Sequence, residues 1–121
     1  MDSKVTRGRI FWLDLHKGAG APIRKTRPCL VVQNDTANRH APHTIVAAIR
    51  EDVGKDLPVQ VSVPKGVAGL RKDSVVDCGF LATVDKSLLG ACLGEMPGDI
   101  MAQVDEALQR SLELDGGHRH G

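Results

Sequence analysis

Three cations stand directly before a proline and an apolar run early in the chain: residues 24–32 read Arg-Lys-Thr-Arg-Pro-Cys-Leu-Val-Val. The apolar part, with its turn signal at Asn34-Asp35, is typical of a buried strand. Pro28 is tolerated at the first strand position and biases Arg27 toward extended geometry. A planar, permanently charged guanidinium held at the mouth of a strand is suited to binding a phosphodiester. The alternative is a solvated basic loop that only caps a strand.

Cleavage of a ribose phosphodiester without a metal requires removal of the 2′-OH proton, protonation of the leaving 5′-oxygen, and donors to the phosphorane oxygens. Arg27 can supply the donors, and Arg24 or Lys25 can neutralise adjacent phosphates. Histidines in predicted loops titrate in the range that proton transfer needs. Each is nevertheless more typical of a surface or capping residue than of a catalyst; they are His16, His40 and His43.

The elements that would position these groups are several short strands and one long helix. Strands are predicted at 9–15, 29–32 and 44–49, and the last of these is expected to be central in the sheet. A further, half-exposed strand is predicted from the alternation of Val59, Val61 and Val63 with polar residues. One helical turn is predicted at 36–40, two short strands at 74–77 and 80–83, and a short helix at 86–93. The final helix is predicted to begin at Pro97 and to end at Gly116-Gly117. Its apolar stripe is Ile100, Val104, Leu108 and Leu112. This succession predicts a small, curled antiparallel sheet of the α+β class.

Length and composition limit the function classes. The 121 residues predict one domain, 1–121, with 1–6 and 116–121 as loose tails. Net charge is +1, so a nucleic-acid role must come from local clustering. Residues 1–50 contain nine Lys and Arg residues but only three Asp residues, whereas the last third of the chain is acidic. Three cysteines without CxxC spacing predict buried, reduced thiols. No membrane span or signal peptide is predicted, which favours a cytoplasmic protein.

Common catalytic and nucleotide-binding motifs are absent from the sequence. It has no GxxxxGK[ST], no GxGxxG after a strand, no GxSxG and no HExxH. The tail histidines His118 and His120 lack further ligands nearby, so no metal site and no cofactor are predicted. Composition and spacing alone therefore predict a small α+β domain with a basic surface and no more specific function.

In order along nearly the whole chain, the sequence resembles the MazF/PemK toxins of type II toxin–antitoxin systems. The resemblance rests on Arg7-Gly8 with the strand at 11–15, on 24–28 and 31–35, and on Asn38-Arg39 with 44–49. It continues at 73–76, 83–86 and 101–112. It implies an SH3-like, partly open antiparallel β-barrel with a C-terminal helix, working as a homodimer.

The resemblance also implies an activity and partners. The family cleaves single-stranded RNA at short sequences without metal or ribosome, and its antitoxin lays a disordered acidic tail across the RNA site. The family's essential arginine falls on Arg27. Arg50 is assigned as its catalytic helper. The RNA-binding set is Lys17, Arg24, Lys25, Asn34 and Thr44, although Thr44 on its own is more typical of a strand residue.

The chain departs from the family pattern at three places. Gly20-Ala21-Pro22 stands where the family often has Gly-Ser-Glu, with the glutamate a candidate for proton transfer. Arg50 stands where a threonine or serine is common, and would take over phosphate stabilisation. Residues 78–82 replace a more polar stretch ending in arginine. Loss of one positioned donor typically costs about 10²–10³ in rate, so a slow enzyme is predicted.

Two other functions compete with this one. A catalytically weak relative would bind RNA and antitoxin as part of a DNA-bound, autorepressing complex, a hypothesis motivated by the missing glutamate and threonine. Inhibition of a topoisomerase by a protein of similar fold is less favoured, because it would not require Arg27 at the mouth of a strand.

Overall fold

Six antiparallel strands form one sheet in the order β4-β5-β3-β2-β1-β6. The computed structural model describes residues 4–14, 26–51 and 58–114. The elements are β1 (Arg9–Asp14), β2 (Thr26–Val31), α1 (Asp35–His40), β3 (His43–Arg50), β4 (Gln60–Val63), β5 (Ser74–Asp85), β6 (Leu89–Glu95) and α2 (Gly98–Ser111). No ladder joins β4 to β6 within these ranges, so the sheet is not closed. The predicted α+β fold, a partly open barrel with a C-terminal helix, is confirmed.

Two predictions for the second half of the chain are wrong. The two short strands predicted around Gly79 are one strand, β5, which pairs with both β3 and β4. The helix predicted at 86–93 is a single 3₁₀ turn, Lys86–Leu88, followed by β6 on the outer edge of β1. Gly90 and Gly94 weaken any helix here, and pairing with β1 stabilises the extended form instead.

The C-terminal helix packs on its own sheet. Pro97 is the N-cap and α2 begins one residue later, close to the predicted start. Ile100, Val104 and Ala107 are buried, and α2 contacts β4 and β5. The predicted stripe does not extend to Leu112, which follows the last helical residue and is 52% exposed. The predicted stop at Gly116-Gly117 lies outside the described residues.

Alternation along the strands produces two apolar layers. Ile10, Leu30 and Ile49 belong to the layer that α2 covers. Phe11 and Cys29, with Leu13, Val31 and Val46, form the layer on the other face. Because side chains alternate along a strand, Arg27 and Arg50 fall on the same face as this second layer.

A closed polar network occupies the end of the sheet at α1. Asn38 is buried, and its amide oxygen accepts hydrogen bonds from Gln33 Nε2 (2.9 Å) and Thr44 Oγ1 (2.7 Å). Its Nδ2 donates to Gln33 O and to Asp35 Oδ1. The Arg7 backbone N–H donates to the same Asp35 oxygen at 2.7 Å. The polar groups of this end therefore satisfy one another.

No helix among the described residues is long and apolar enough to cross a membrane.

Candidate nucleic-acid interface

Arg27 and Arg50 lie at the same end of neighbouring strands. The β2–β3 ladder ends with Cys29 opposite Ala48. Continuing that antiparallel register by two residues on each strand sets Arg27 across from Arg50. Both side chains are exposed. Both border an apolar groove of about 500 Å³ whose walls are Leu13, Cys29, Val46, Phe80, Ala82 and Val84.

The two arginines differ in what holds them. Arg50 Nη2 lies 2.9 Å from Asp77 Oδ2, and its guanidinium carbon lies 5.6 Å from the centre of the Phe80 ring. In the described part of the chain, Arg27 has neither an ion pair nor a hydrogen bond from its side chain. Arg27 is therefore available to an anionic ligand, whereas Arg50 is already oriented by a carboxylate and a ring.

A bulge in β5 sets Phe80 near Arg50, and the regular pairing just before the bulge makes Asp77 a diagonal neighbour of Arg50. Ala47 pairs with Leu81, yet the next residue, Ala48, pairs with Asp77, which leaves three β5 residues unpaired. The Gly79 backbone N–H donates to Asp77 Oδ1 at 2.9 Å and fixes the turn of the bulge. Phe80, 57% exposed, is the last bulged residue. Such bulges re-aim side chains next to functional sites.

Arg27 also borders a second, more polar cavity, the basic cleft, of about 600 Å³. Its walls come from β1, β2, the end of β3, the loop before β5, and β6. The residues that give it its chemistry are Trp12, Arg27, Glu51, Arg71, Lys72 and Ser74. Lys72 Nζ lies 3.7 Å from Glu51 Oε1, and both side chains are exposed.

Two residues predicted to bind RNA lie at the other end of the sheet. Thr44 is 0% exposed and its hydroxyl is bonded to Asn38, which contradicts the expectation that it contacts RNA. Asn34 is exposed, but its side chain accepts from the Ala37 backbone N–H and caps α1. β3 separates this end from Arg50 by about 23 Å at about 3.3 Å per residue.

The other residues that the sequence singled out either lie outside the described ranges or lie at the α1 end. Lys17, Arg24, Lys25 and His16 lie outside the described residues. His40 and His43 are exposed at the α1 end, far from Arg27. Neither is therefore placed to exchange a proton with a phosphodiester bound by Arg27.

Sequence reasoning missed four residues of this end: Trp12, Arg71, Asp77 and Phe80. The adjacent cations Arg71 and Lys72 after Gly69 were a visible signal, comparable to the cluster before Pro28. Asp77 and Phe80 gave none, because the pairing of β5 with β3 sets Asp77 beside Arg50 and the bulge adds Phe80.

The cysteines are free, as predicted, and Cys29 and Cys78 are buried while Cys92 is half-buried. Burial raises the pKa of Cys29 to about 12. Burial, with Asp77 adding to it, raises the pKa of Cys78 to about 11. Both thiols are therefore protonated at neutral pH and poor nucleophiles.

Residues 6–112 match the profile described as the PemK-like, MazF-like toxin of type II toxin–antitoxin systems. The chain belongs to this family. The family predicted from the sequence is thus confirmed. Among curated relatives, Endoribonuclease EndoA of Bacillus subtilis is 39% identical over 111 residues, 91% of this chain and 96% of that protein. Endoribonuclease MazF of Staphylococcus epidermidis is 35% identical over 117 residues, 96% of this chain and 98% of that one.

Solved structures of similar fold include members of the same family. An endoribonuclease in complex with its cognate antitoxin from a mycobacterial species has a TM-score of 0.76 at 25% identity, covering 91% of this chain and 96% of that one. The Mycobacterium tuberculosis toxin MazF-mt6 has a TM-score of 0.75 at 27% identity, with 88% and 98% covered. Within the described ranges of this family member, no group of three or more His, Cys, Asp and Glu side chains could hold a metal ion.

Proposed function

We propose that this protein is an endoribonuclease toxin that cleaves single-stranded RNA at short sequences, without metal or ribosome, in the cytoplasm where messenger RNA is found. The observation that carries the proposal is Arg27, an exposed guanidinium without an ion pair in the described chain, held at a strand end beside Arg50. Membership in a family whose curated relatives are named endoribonucleases supports it.

In the proposed reaction, the ribose 2′-oxygen attacks the adjacent phosphorus and the bond to the 5′-oxygen breaks. The products are a 2′,3′-cyclic phosphate and a 5′-hydroxyl. Negative charge grows on the phosphorane oxygens, and Arg27 donates to them as a bidentate fork. Arg50, oriented by Asp77 at 2.9 Å, assists from the neighbouring strand. Asp77 is a positioning residue in this scheme.

Proton transfer needs a group that can reach the bound phosphodiester, and we assign it to Glu51. Glu51 is the carboxylate among the described residues that border the basic cleft. It stands directly after β3, so the same strand end carries Arg50 and a candidate base. Glu51→Gln is expected to lower kcat by about 10²–10⁴, with a smaller change in KM. An unchanged kcat would assign proton transfer to another residue.

Binding of the RNA backbone falls to the cations that flank Arg27 in sequence, Lys17, Arg24 and Lys25. Lys17 follows β1 in sequence, and Arg24 and Lys25 directly precede β2. Contact of RNA with Asn34 stays a prediction, and it requires an RNA long enough to run from Arg27 to the α1 end of the sheet. Thr44 is not part of the proposed interface.

We propose that an antitoxin with a disordered acidic tail neutralises this protein. The apolar groove offers a lining of leucine, valine and alanine with two arginines at one end, which suits an extended tail carrying both apolar and acidic residues. The structural neighbour bound to its cognate antitoxin supports such a partnership. We also propose a homodimer, which sedimentation equilibrium of the purified protein tests.

The test is cleavage of single-stranded RNA by purified protein in EDTA without ribosomes, followed by mapping of the cut ends. Cuts at a recurring short sequence are expected. Expression of the wild type is expected to arrest growth, and Arg27→Ala is expected to relieve the arrest. Intact RNA at high protein excess would overturn the nuclease, as would undiminished toxicity of Arg27→Ala.

A second candidate is a catalytically weak module that acts with its antitoxin as a DNA-bound autorepressor. The ion pair between Arg50 and Asp77 favours it, because a guanidinium already neutralised stabilises a transition state less. Intact RNA in the cleavage assay, together with a gel shift of promoter DNA by the toxin–antitoxin complex, would support this candidate.

A further inference from the structure

The basic cleft contains an aromatic side chain that the reaction at Arg27 does not use. Trp12, on β1, is 39% exposed and borders the cleft together with Arg27. It is the only tryptophan of the chain, which has no tyrosine. A large exposed aromatic next to cations is the combination that binds single-stranded nucleic acid by stacking and charge.

Small neighbours flank Trp12 on both adjacent strands. Its pairing partner on β2 is Pro28, and Gly90 lies beside it on β6. A Cβ atom on Gly90 would lie 3.5 Å from Trp12 Cβ, an ordinary contact, so the glycine is not forced by backbone crowding there. With glycine at this position, residue 90 adds no side chain against Trp12, which stays 39% exposed.

The loop that carries the cleft's other cations is held against β6 by its backbone. Gly69 has φ +81°, and a Cβ there would lie 2.3 Å from Leu93 O. Gly94 is equally close to the loop, since a Cβ on it would lie 2.7 Å from Ala68 O. Asp73 Oδ1 accepts from the Lys65 backbone N–H at 2.8 Å and closes the loop. The backbone that leads into Arg71 is therefore fixed before any ligand arrives.

Arg71 resembles Arg27 in being uncommitted. Its side chain is exposed, and within the described ranges it makes neither an ion pair nor a hydrogen bond. Lys72, its neighbour, is paired with Glu51 at 3.7 Å. Arg7, Arg50 and Arg110 are paired with Asp105, Asp77 and Glu106 respectively. Arg39 is also exposed without such a partner in those ranges, but it lies on α1 at the opposite end of the sheet. Arg71 thus shares the basic cleft with the partly exposed indole of Trp12, and the cleft reaches Arg27 at the strand end.

We propose that the basic cleft is a subsite for one nucleotide of the RNA next to the scissile phosphate: its base stacks on Trp12 and its phosphate binds Arg71. The inference rests on the proposed function, since Arg27 holds the scissile phosphate at the cleft's edge. Stacking is tolerant of base identity, so the subsite contributes affinity and register more than base choice.

Trp12 fluorescence tests the subsite directly. The probe is a short 2′-O-methyl oligoribonucleotide of mixed sequence, which this chemistry cannot cleave because it lacks the attacking hydroxyl. Titration is expected to quench the tryptophan, while anisotropy of a labelled copy of the same probe reports total binding. Arg71→Ala is expected to reduce the slope of log affinity against log salt by about 0.7, the share of one phosphate in a single strand.

Matched variants separate the subsite from the rest of the interface. Trp12→Ala is expected to weaken binding by about 5- to 150-fold, and Trp12→Phe, which keeps a ring, to retain most of the affinity. Arg39→Ala removes the same charge as Arg71→Ala from the opposite end of the sheet and is expected to leave the salt slope unchanged. Thermal unfolding of each variant identifies any loss that comes from misfolding.

Outcomes distinguish this inference from the proposed function. Binding by anisotropy without quenching of Trp12, and with the wild-type salt slope in Arg71→Ala, would overturn the subsite and leave the nuclease intact. No binding of the probe, together with no cleavage of unmodified RNA, would overturn both.

Discussion

The two ends of the central strands treat their polar groups in opposite ways. At the α1 end, Asn38 and Thr44 are buried and bonded to each other, and Asp35 receives the Arg7 backbone N–H. At the other end, Arg27 and Arg71 are exposed and unpaired within the described chain. A satisfied network stabilises the fold, whereas uncommitted cations are left for a ligand. We infer that the buried network at the α1 end contributes mainly to stability and that the exposed cations at the other end serve the proposed activity.

The comparison predicts that the largest loss of stability comes from the α1 end. Asn38→Ala removes an amide with four hydrogen bonds and leaves buried Gln33 and Thr44 groups under-satisfied. The free energy of unfolding is expected to fall by about 3 kcal/mol, measured by denaturant titration. Arg27→Ala, at an exposed site, is expected to change it by less than about 0.5 kcal/mol. Equal losses would remove the distinction between the ends.

Asp77→Asn sharpens the comparison within the functional end. The amide keeps Oδ1 for the Gly79 N–H but loses the charge that orients Arg50. We expect kcat to fall about tenfold, because a positioned donor is loosened. KM is expected to fall as well, since a negative charge has left the RNA surface. A loss of stability with kcat and KM both unchanged would make Asp77 purely structural.

Acid is expected to weaken the α1 end through Asp35. The Arg7 backbone N–H, then the Asn38 side chain, lower the pKa of Asp35 below its ordinary value. Its contribution to stability is therefore complete above about pH 4, the range of an unfolded aspartate, and is lost as pH falls through the lower folded value. Thermal unfolding of Asp35→Asn between pH 5 and 2 is expected to show a flatter acid decline than the wild type. Because Asp35 is exposed, the difference should be small.

Thiol reactivity gives the smallest expected effect. Cys92 is half-buried, and the raised pKa values of Cys29 and Cys78 leave thiolate fractions on the order of 10⁻⁴ and 10⁻³ at pH 8. A disulfide reagent is expected to modify one cysteine quickly in the folded protein and the other two only on unfolding. Fast modification of all three would indicate that the β2–β3–β5 region opens locally.

The sequence predicted those elements whose signal is local. Strand β3, the Asn34-initiated helical turn and α2 follow from apolar spacing and capping residues, and the structure has them close to the expected bounds. β6 was missed because its glycines and leucines carry no strand period; only pairing with β1 makes it extended. β5 was predicted as two short strands because Gly79 is typical of a turn, whereas in the structure Gly79 lies in a bulge within one continuous strand.

The candidate site was predictable to a similar extent. A cation cluster before a strand pointed to Arg27, and Arg50 was added because it stands where the family often has a threonine or serine. Thr44 was grouped with the RNA-binding residues because the sequence does not show that the start of β3 lies at the opposite end of the sheet from Arg27. Asp77 depends on how β5 pairs with β3, and Phe80 depends on a register shift of three residues; no sequence period reveals either.

The central claim is that Arg27 is free to hold the charge that develops on a scissile phosphodiester. Single-turnover cleavage of one mapped RNA by Arg27→Ala and by Arg39→Ala tests it most directly, because both variants remove one exposed arginine from opposite ends of the sheet. We expect Arg27→Ala to cleave about 10²–10³ times more slowly than the wild type, and Arg39→Ala to cleave at the wild-type rate, with both folded. Equal cleavage rates for the two variants would contradict the account.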